Sequence, residues 1–272
     1  MTAGGNAKFV ASGVDAMGNA TGGNINIVGS DVSGANVALG AKNQVNIVSA
    51  TDTAESHSTN KSSSGSIGIS YGAQGFGVSA SASKAKGNSD SVSATQVNSH
   101  ISGTDSVTIV SGGDTSILGG VVTGGKVAAN VGGDLNLQSR QDTEEFHARQ
   151  ESKGGGFSIS QGGGSASFSA SKGKADGSYA NVTEQTAIRA GEGGFDITVK
   201  GNTDLDGAVI SSTATADKNS LTTGTLSWND VRNHSDFSAT SVGISAGGAF
   251  GGPVGQSNSG PTSGKIPVAS VR

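Results

Sequence analysis

Two histidines stand in similar acidic surroundings: His57 follows Asp52 and Glu55, and His147 follows Asp142, Glu144 and Glu145. Imidazole beside carboxylates is metal-ligand chemistry, so both groups are candidates for a cation site. The cluster is not repeated intact, because Ala54 and Ser56 stand where the second copy has Glu144 and Phe146. Both groups read as a polar solenoid edge leading into the hairpin, and no metal site is assigned. Serine, aspartate and histidine are plentiful, but no Gly-x-Ser-x-Gly elbow lies in the strand-to-helix context that a nucleophile on that turn requires. The run Gly247-Gly-Ala-Phe-Gly-Gly252 lacks the Lys-Ser/Thr that completes a phosphate loop. No run matches the calcium-binding Gly-Gly-x-Gly-x-Asp nonapeptide. The residues therefore assign no catalytic, cofactor-binding or metal site, and the expectation is a protein that is not an enzyme.

A second group of residues points to contact rather than catalysis. Ile67, Ile69 and Tyr71 alternate with small residues, as do Phe76 and Val78, and a matching set follows at Phe157, Ile159 and Phe168. These stretches read as β-hairpins at about 65–83 and 155–171, with turns at Gly72 to Gly75 and at Gly162-Gly163-Gly164. One face of each is apolar and the other is Gly and Ser, so the apolar face is a candidate for membrane or partner contact. Lys84 and Lys86 follow the first hairpin, and Lys172 and Lys174 the second. Such a recurrent basic pair can meet anionic lipid or lipopolysaccharide, or simply keep a strand end soluble. Tyr71 is the single tyrosine near either tip, so the aromatic girdles of a membrane barrel are missing.

These surfaces need a scaffold, and composition restricts it. Of 272 residues 46 are glycine and only 4% are aromatic, which excludes a large compact core. Charged residues make up 14% and the net charge is −4, spread along the chain, which leaves no basic footprint for nucleic acid. With no cysteine, there are no disulfides or thiolate-bound metals. Met1 to Val14 lack the features of a signal peptide, so any export signal is expected outside this chain. No run approaches the roughly 18 apolar residues of a membrane helix.

Short alternating segments recur with Gly, Asn or Asp between them, centred ten residues apart on Ile27, Val37 and Ile47, and again on Ile117, Val127 and Leu137. Two such steps make a coil of about 20 residues, the pattern of a β-solenoid in which each coil buries its neighbour. A β-sandwich shares the short strands but has larger aromatic core residues and no long-range self-similarity. Self-similarity is present here: Val45 to His57 lines up with Leu135 to His147, an offset of 90 residues. The expected architecture is all-β, a solenoid of two repeats of about 90 residues with protruding hairpins. Residues 1–21 form a lead-in, 22–133 and 134–245 the repeats, and 246–272, which hold all three prolines, a Gly/Ser/Pro linker.

Four stretches carry a family resemblance: Gly112-Gly-Asp-Thr-Ser-Ile-Leu-Gly119, Gly201-Asn-Thr-Asp-Leu-Asp-Gly207, Gly191 to Val199 and Asn219 to Val231. Together they resemble the second haemagglutinin-repeat region of filamentous-haemagglutinin-like exoproteins, as found in contact-dependent growth-inhibition effectors. The resemblance spans roughly residues 22–245. It implies a right-handed parallel β-helix on a Gram-negative cell surface, secreted through an outer-membrane partner transporter. It also implies a downstream toxin domain, and association with the target cell's outer membrane or a surface receptor during toxin delivery. An adhesin binding host or neighbouring-cell ligands is the alternative.

Overall fold

The computed structural model describes residues 1–13, 22–72 and 75–251, and they are almost entirely strand. The first strands are β1 (Ala7–Ala11), β2 (Ile25–Val28), β3 (Asp31–Ala41) and β4 (Val45–Val48). Two long strands follow, β5 (Ala50–Gly72) and β6 (Gly75–Val97), then β7 (Ser99–Ser111), β8 (Thr115–Leu118), β9 (Gly120–Val131) and β10 (Leu135–Gln138). A second long pair is β11 (Asp142–Ser160) and β12 (Gly163–Asn181). Then come β13 (Ala187–Ala190), β14 (Phe195–Val199), β15 (Asn202–Asp206), β16 (Val209–Ser212), β17 (Ser220–Thr222), β18 (Thr225–Asn229) and β19 (His234–Phe250). They form two compact units, each assembled from three separate lengths of chain.

The first unit comprises residues 1–53, 94–143 and 180–233. It is a parallel β-helix. One sheet runs β18-β15-β10-β8-β4-β2, and the other runs β1-β3-β7-β9-β13-β16 with β14 and β17 beside it. Every named pairing in both sheets is parallel. Period-2 alternation turns every second side chain inward, and equivalent residues of successive coils stack in rows. One row is Ile27, Ile47, Ile117, Leu137 and Leu205, and it runs out at Trp228, which is exposed. Another is Leu39, Ile109, Ala129 and Ile197. These rows form one thin continuous core in which Ile47, Ile117, Leu137 and Ile109 are fully buried. Outward positions carry polar ladders instead: the Asn46 amide donates to Asn26 at 2.8 Å, and Asn43 to Asn24 at 2.9 Å.

The register explains the 90-residue repeat. Ile25 pairs with Val45 and Thr115 with Leu135, each a coil of twenty residues, as the ten-residue beat predicts. Val45, however, pairs with Thr115, seventy residues on, because the β5/β6 hairpin is inserted within that coil. Leu135 pairs with Thr203 in the same way, across the β11/β12 hairpin. A bare coil and a coil carrying a hairpin make one repeat.

Where the chain re-enters the solenoid, one hydroxyl closes the corner. The Ser99 hydroxyl donates to the Val48 carbonyl at 2.8 Å and accepts the Ser30 N–H at 3.1 Å. In the next repeat the Thr186 hydroxyl donates to the Gln138 carbonyl at 2.8 Å and accepts the Gly119 N–H at 3.1 Å. Gly119 is itself required: its φ is +68°, and a Cβ there would lie 2.7 Å from the Ser49 hydroxyl.

The second unit comprises residues 54–93, 144–179 and 234 onward. It is one five-stranded sheet ordered β19-β12-β11-β6-β5. Cross-strand serine pairs fix its antiparallel register: Ser64 with Ser83 and Ser66 with Ser81 across β5/β6, and Ser152 with Ser171 and Ser158 with Ser165 across β11/β12. Gly156 lies against Ser81 across β6/β11, and Gly243 against Ser171 across β12/β19. The hairpins thus extend well beyond the expected 65–83 and 155–171, and they pair edge to edge. Residues 246–250, read from sequence as part of a linker, lie in β19; residues 252–272 and all three prolines fall outside the described residues.

Candidate partner-contact surface

The antiparallel register decides which side chains share a face. Ile69 of β5 stands opposite Val78 of β6, which stands opposite Ile159 of β11. One row nearer the hairpin bases, away from the tips, Ile67, Ala80, Phe157 and Ala166 align across four strands. Tyr71 and Phe76 pair in the row beyond, and Phe168, Val242 and Ile244 fall on the same face from β12 and β19. The apolar residues singled out from the sequence are therefore gathered onto one surface. Among the described residues of this unit no second layer covers them: Ile67 is 83% exposed and Ile69 73%. The opposite face of the same rows is serine and glycine, including the four hydrogen-bonded serine pairs.

Toward the hairpin bases, the apolar face becomes charged. Lys86 and Lys172 flank Glu151 at 3.1 and 3.3 Å, a ladder across β6, β11 and β12. Hydrogen bonds and charge from Lys86, then Lys172, hold the Glu151 carboxyl below its usual range. One row closer to the hairpin bases lie Arg149 and Lys174, and one row toward the tips lie Lys84 and Lys153.

Behind this basic zone runs a row in which histidine and aspartate alternate: His57, Asp90, His147 and Asp176 occupy adjacent strands. The His57 Nδ1–H donates to Asp90, and the His147 Nδ1–H to Asp176 at 2.9 Å. The His57 hydrogen bond depresses the Asp90 pKa; Lys174 first, at 2.6 Å, and then His147 depress that of Asp176. The histidines' partners are thus across the hairpin, not the nearby Asp52, Glu55, Asp142, Glu144 or Glu145. Among the described residues no group of three or more His, Cys, Asp or Glu side chains is placed to hold a metal ion.

Sequence reasoning did not find one further charged cluster, which belongs to the solenoid. His100 donates through Nδ1 to Asp31 at 2.8 Å and through Nε2 to Glu184 at 3.0 Å. Two N–H donors require the imidazolium form. Partial burial pulls the His100 pKa down, but the hydrogen bonds to Asp31 and Glu184 and their negative charges outweigh it and hold it above its usual value. The residues are 69 and 84 positions apart, so only knowledge of the seventy-residue coil would have shown the cluster.

A family model for the hemagglutinin repeat matches residues 1–155. The chain is 56% identical over 251 residues to a tRNA nuclease CdiA-2 of Burkholderia pseudomallei, a match covering 92% of this chain and 8% of that protein. It is 41% identical over 233 residues to a deoxyribonuclease CdiA of Dickeya dadantii, covering 82% of this chain and 7% of the relative. With a tRNA nuclease CdiA of Yersinia mollaretii the identity is 39% over 250 residues, covering 90% and 8%. The chain thus spans less than a tenth of the length of these three relatives. No solved structure matches.

Proposed function

The chain belongs to the hemagglutinin-repeat family, and on that premise we propose that it is a non-catalytic structural and delivery segment of a secreted, surface-displayed exoprotein for contact-dependent growth inhibition. The observation that carries the proposal is the single apolar face of the five-stranded sheet, which gathers Ile67, Ile69, Phe157 and Ile159 in register and leaves them uncovered by the described residues of the unit. The solenoid supplies length and rigidity; the sheet supplies the surface that meets the target cell's outer membrane. The nuclease activities in the relatives' names belong to portions of those proteins outside the matched segment, and this segment takes no part in that chemistry. A partner transporter in the producing cell's outer membrane and a toxin domain elsewhere in the full-length protein complete the system.

Cosedimentation of the purified chain with vesicles of outer-membrane lipid tests this reading. The wild-type chain is expected to pellet with them, and a variant carrying Ile69→Asp, Phe157→Asp and Ile159→Asp to stay in the supernatant with its strand-dominated circular dichroism unchanged. Saturable binding to one protein or carbohydrate ligand, without lipid binding, would favour an adhesin instead.

A further inference from the structure

Resting on the reading that the apolar face meets a membrane, the zonation of that face identifies what stands beside it. From the apolar rows toward the hairpin bases, the same face passes through three consecutive rows of cations. Lys84 and Lys153 come first, then Lys61, Lys86 and Lys172 around Glu151, then Arg149 with Lys174. Only after these does it become acidic, at Asp90 and Asp176 and then Glu55 and Glu145. The seven cations face one carboxylate within the belt, Glu151, which Lys86 and Lys172 share; Lys174 is engaged by Asp176. Lys61, Lys84, Arg149 and Lys153 make no ion pair among the described residues. Thr59, Lys61, Lys86, Arg149 and Lys172 also line a shallow concavity on this face.

Successive same-face rows along a strand are separated by about 7 Å, so the belt is roughly 15 Å deep and directly borders the apolar rows. A bilayer presents the complement in the same order, with hydrocarbon bordered by a layer of phosphates. We infer that this belt is a binding surface for the phosphate groups of anionic lipid headgroups, seated there when the apolar rows enter the acyl layer. Lys and Arg near an anionic membrane surface each contribute about 1 kcal/mol, roughly a fivefold gain in binding, and the gain is screened by salt.

The test is vesicle cosedimentation with the 272-residue chain. It compares phosphatidylcholine vesicles with vesicles containing about a third phosphatidylglycerol, whose negative surface attracts cations. One variant carries Lys61→Gln, Lys84→Gln, Arg149→Gln and Lys153→Gln. A control removes the same charge from the solenoid through Lys8→Gln, Lys42→Gln, Lys126→Gln and Lys200→Gln, and circular dichroism confirms that both fold. The wild type is expected to prefer the anionic vesicles and to lose that preference in high salt. The belt variant should bind them roughly 600-fold more weakly, four fivefold losses in succession, and the control within about twofold of wild type. Equal binding to both vesicles, unchanged in the belt variant, overturns the headgroup site and leaves the membrane reading intact. An equal loss in the solenoid control overturns it as a mere net-charge effect. Failure to bind either vesicle removes the membrane reading itself, and the headgroup site with it. Capture by a soluble polyanion such as heparin without vesicle binding also overturns it.

Discussion

In the solenoid Ile117 is fully buried and Leu137 is 1% exposed, whereas in the antiparallel sheet Ile67 and Ile69, carried on the same repeat, are 83% and 73% exposed. The difference follows from what each strand has above and below it. A short parallel strand such as β8 lies between two coils and faces another sheet across the interior, so its inward residues are enclosed. A long strand such as β6 is bonded only at its edges, to β5 and β11, and one layer of sheet encloses nothing. The stability of the solenoid therefore rests on side chains, and that of the sheet on its backbone ladder and small cross-strand pairs. A surface whose large apolar residues do not hold its own unit together is open to a partner.

The sharpest way to break that contrast is a matched pair of truncations followed by urea unfolding. Leu137→Ala is expected to cost about 2–5 kcal/mol, as a large-to-small change in a packed core does. Ile69→Ala should fall within about 0.5 kcal/mol of wild type, as for exposed positions generally. Similar losses at both sites would mean that the sheet face is covered within the chain.

A smaller effect is expected where the solenoid recloses after each hairpin. Thr186→Val keeps the shape but removes the hydroxyl shared by the Gly119 N–H and the Gln138 carbonyl; those two groups still bond each other at 2.8 Å, so the cost is about 0.5–1.5 kcal/mol. Thr186→Ser retains the hydroxyl and should recover most of it, which identifies the bond rather than the methyl as the cause.

The charged clusters sharpen the comparison through pH, with opposite signs. His100 has a raised folded pKa, so the stability from its bonds to Asp31 and Glu184 is fully present below the unfolded value of about 6.5 and is lost as pH rises through the folded value. His100→Gln should flatten the melting temperature across that rise. Asp90, Glu151 and Asp176 have lowered folded pKa values, so their contribution to the sheet is present above the unfolded carboxylate range near pH 4 and is lost as pH falls through the folded values. All three are only half-buried at the sheet surface and open to screening, so this last effect is the smallest and should vanish in high salt. Amide exchange of the two units as a function of pH distinguishes the two signs.

The solenoid was legible in the sequence because burial between coils imposes a strict pattern: Val45, Ile47, Leu135 and Leu137 are apolar where the coil turns inward. The repeat offset was legible too, yet not its division into a short and a long coil, since spacing alone does not say which chain returns to pair with Val45. The apolar tips of the hairpins showed their alternation because large residues there oppose glycine and serine. Their polar halves, such as residues 54–64, showed none, because both faces of those rows are polar. The histidine partners were missed for the same reason: Asp90 lies 33 residues beyond His57, and only the hairpin register unites them.

Because the chain contains no cysteine, single labels can test the central claim, that one face of the antiparallel sheet is the surface that meets lipid. An environment-sensitive fluorophore is attached in turn at Ile159→Cys on the apolar face and at Ser158→Cys on the opposite face of the same strand, and outer-membrane vesicles are added. The account predicts a blue shift at position 159 and little change at 158; equal shifts at both positions, or none at 159, would contradict it.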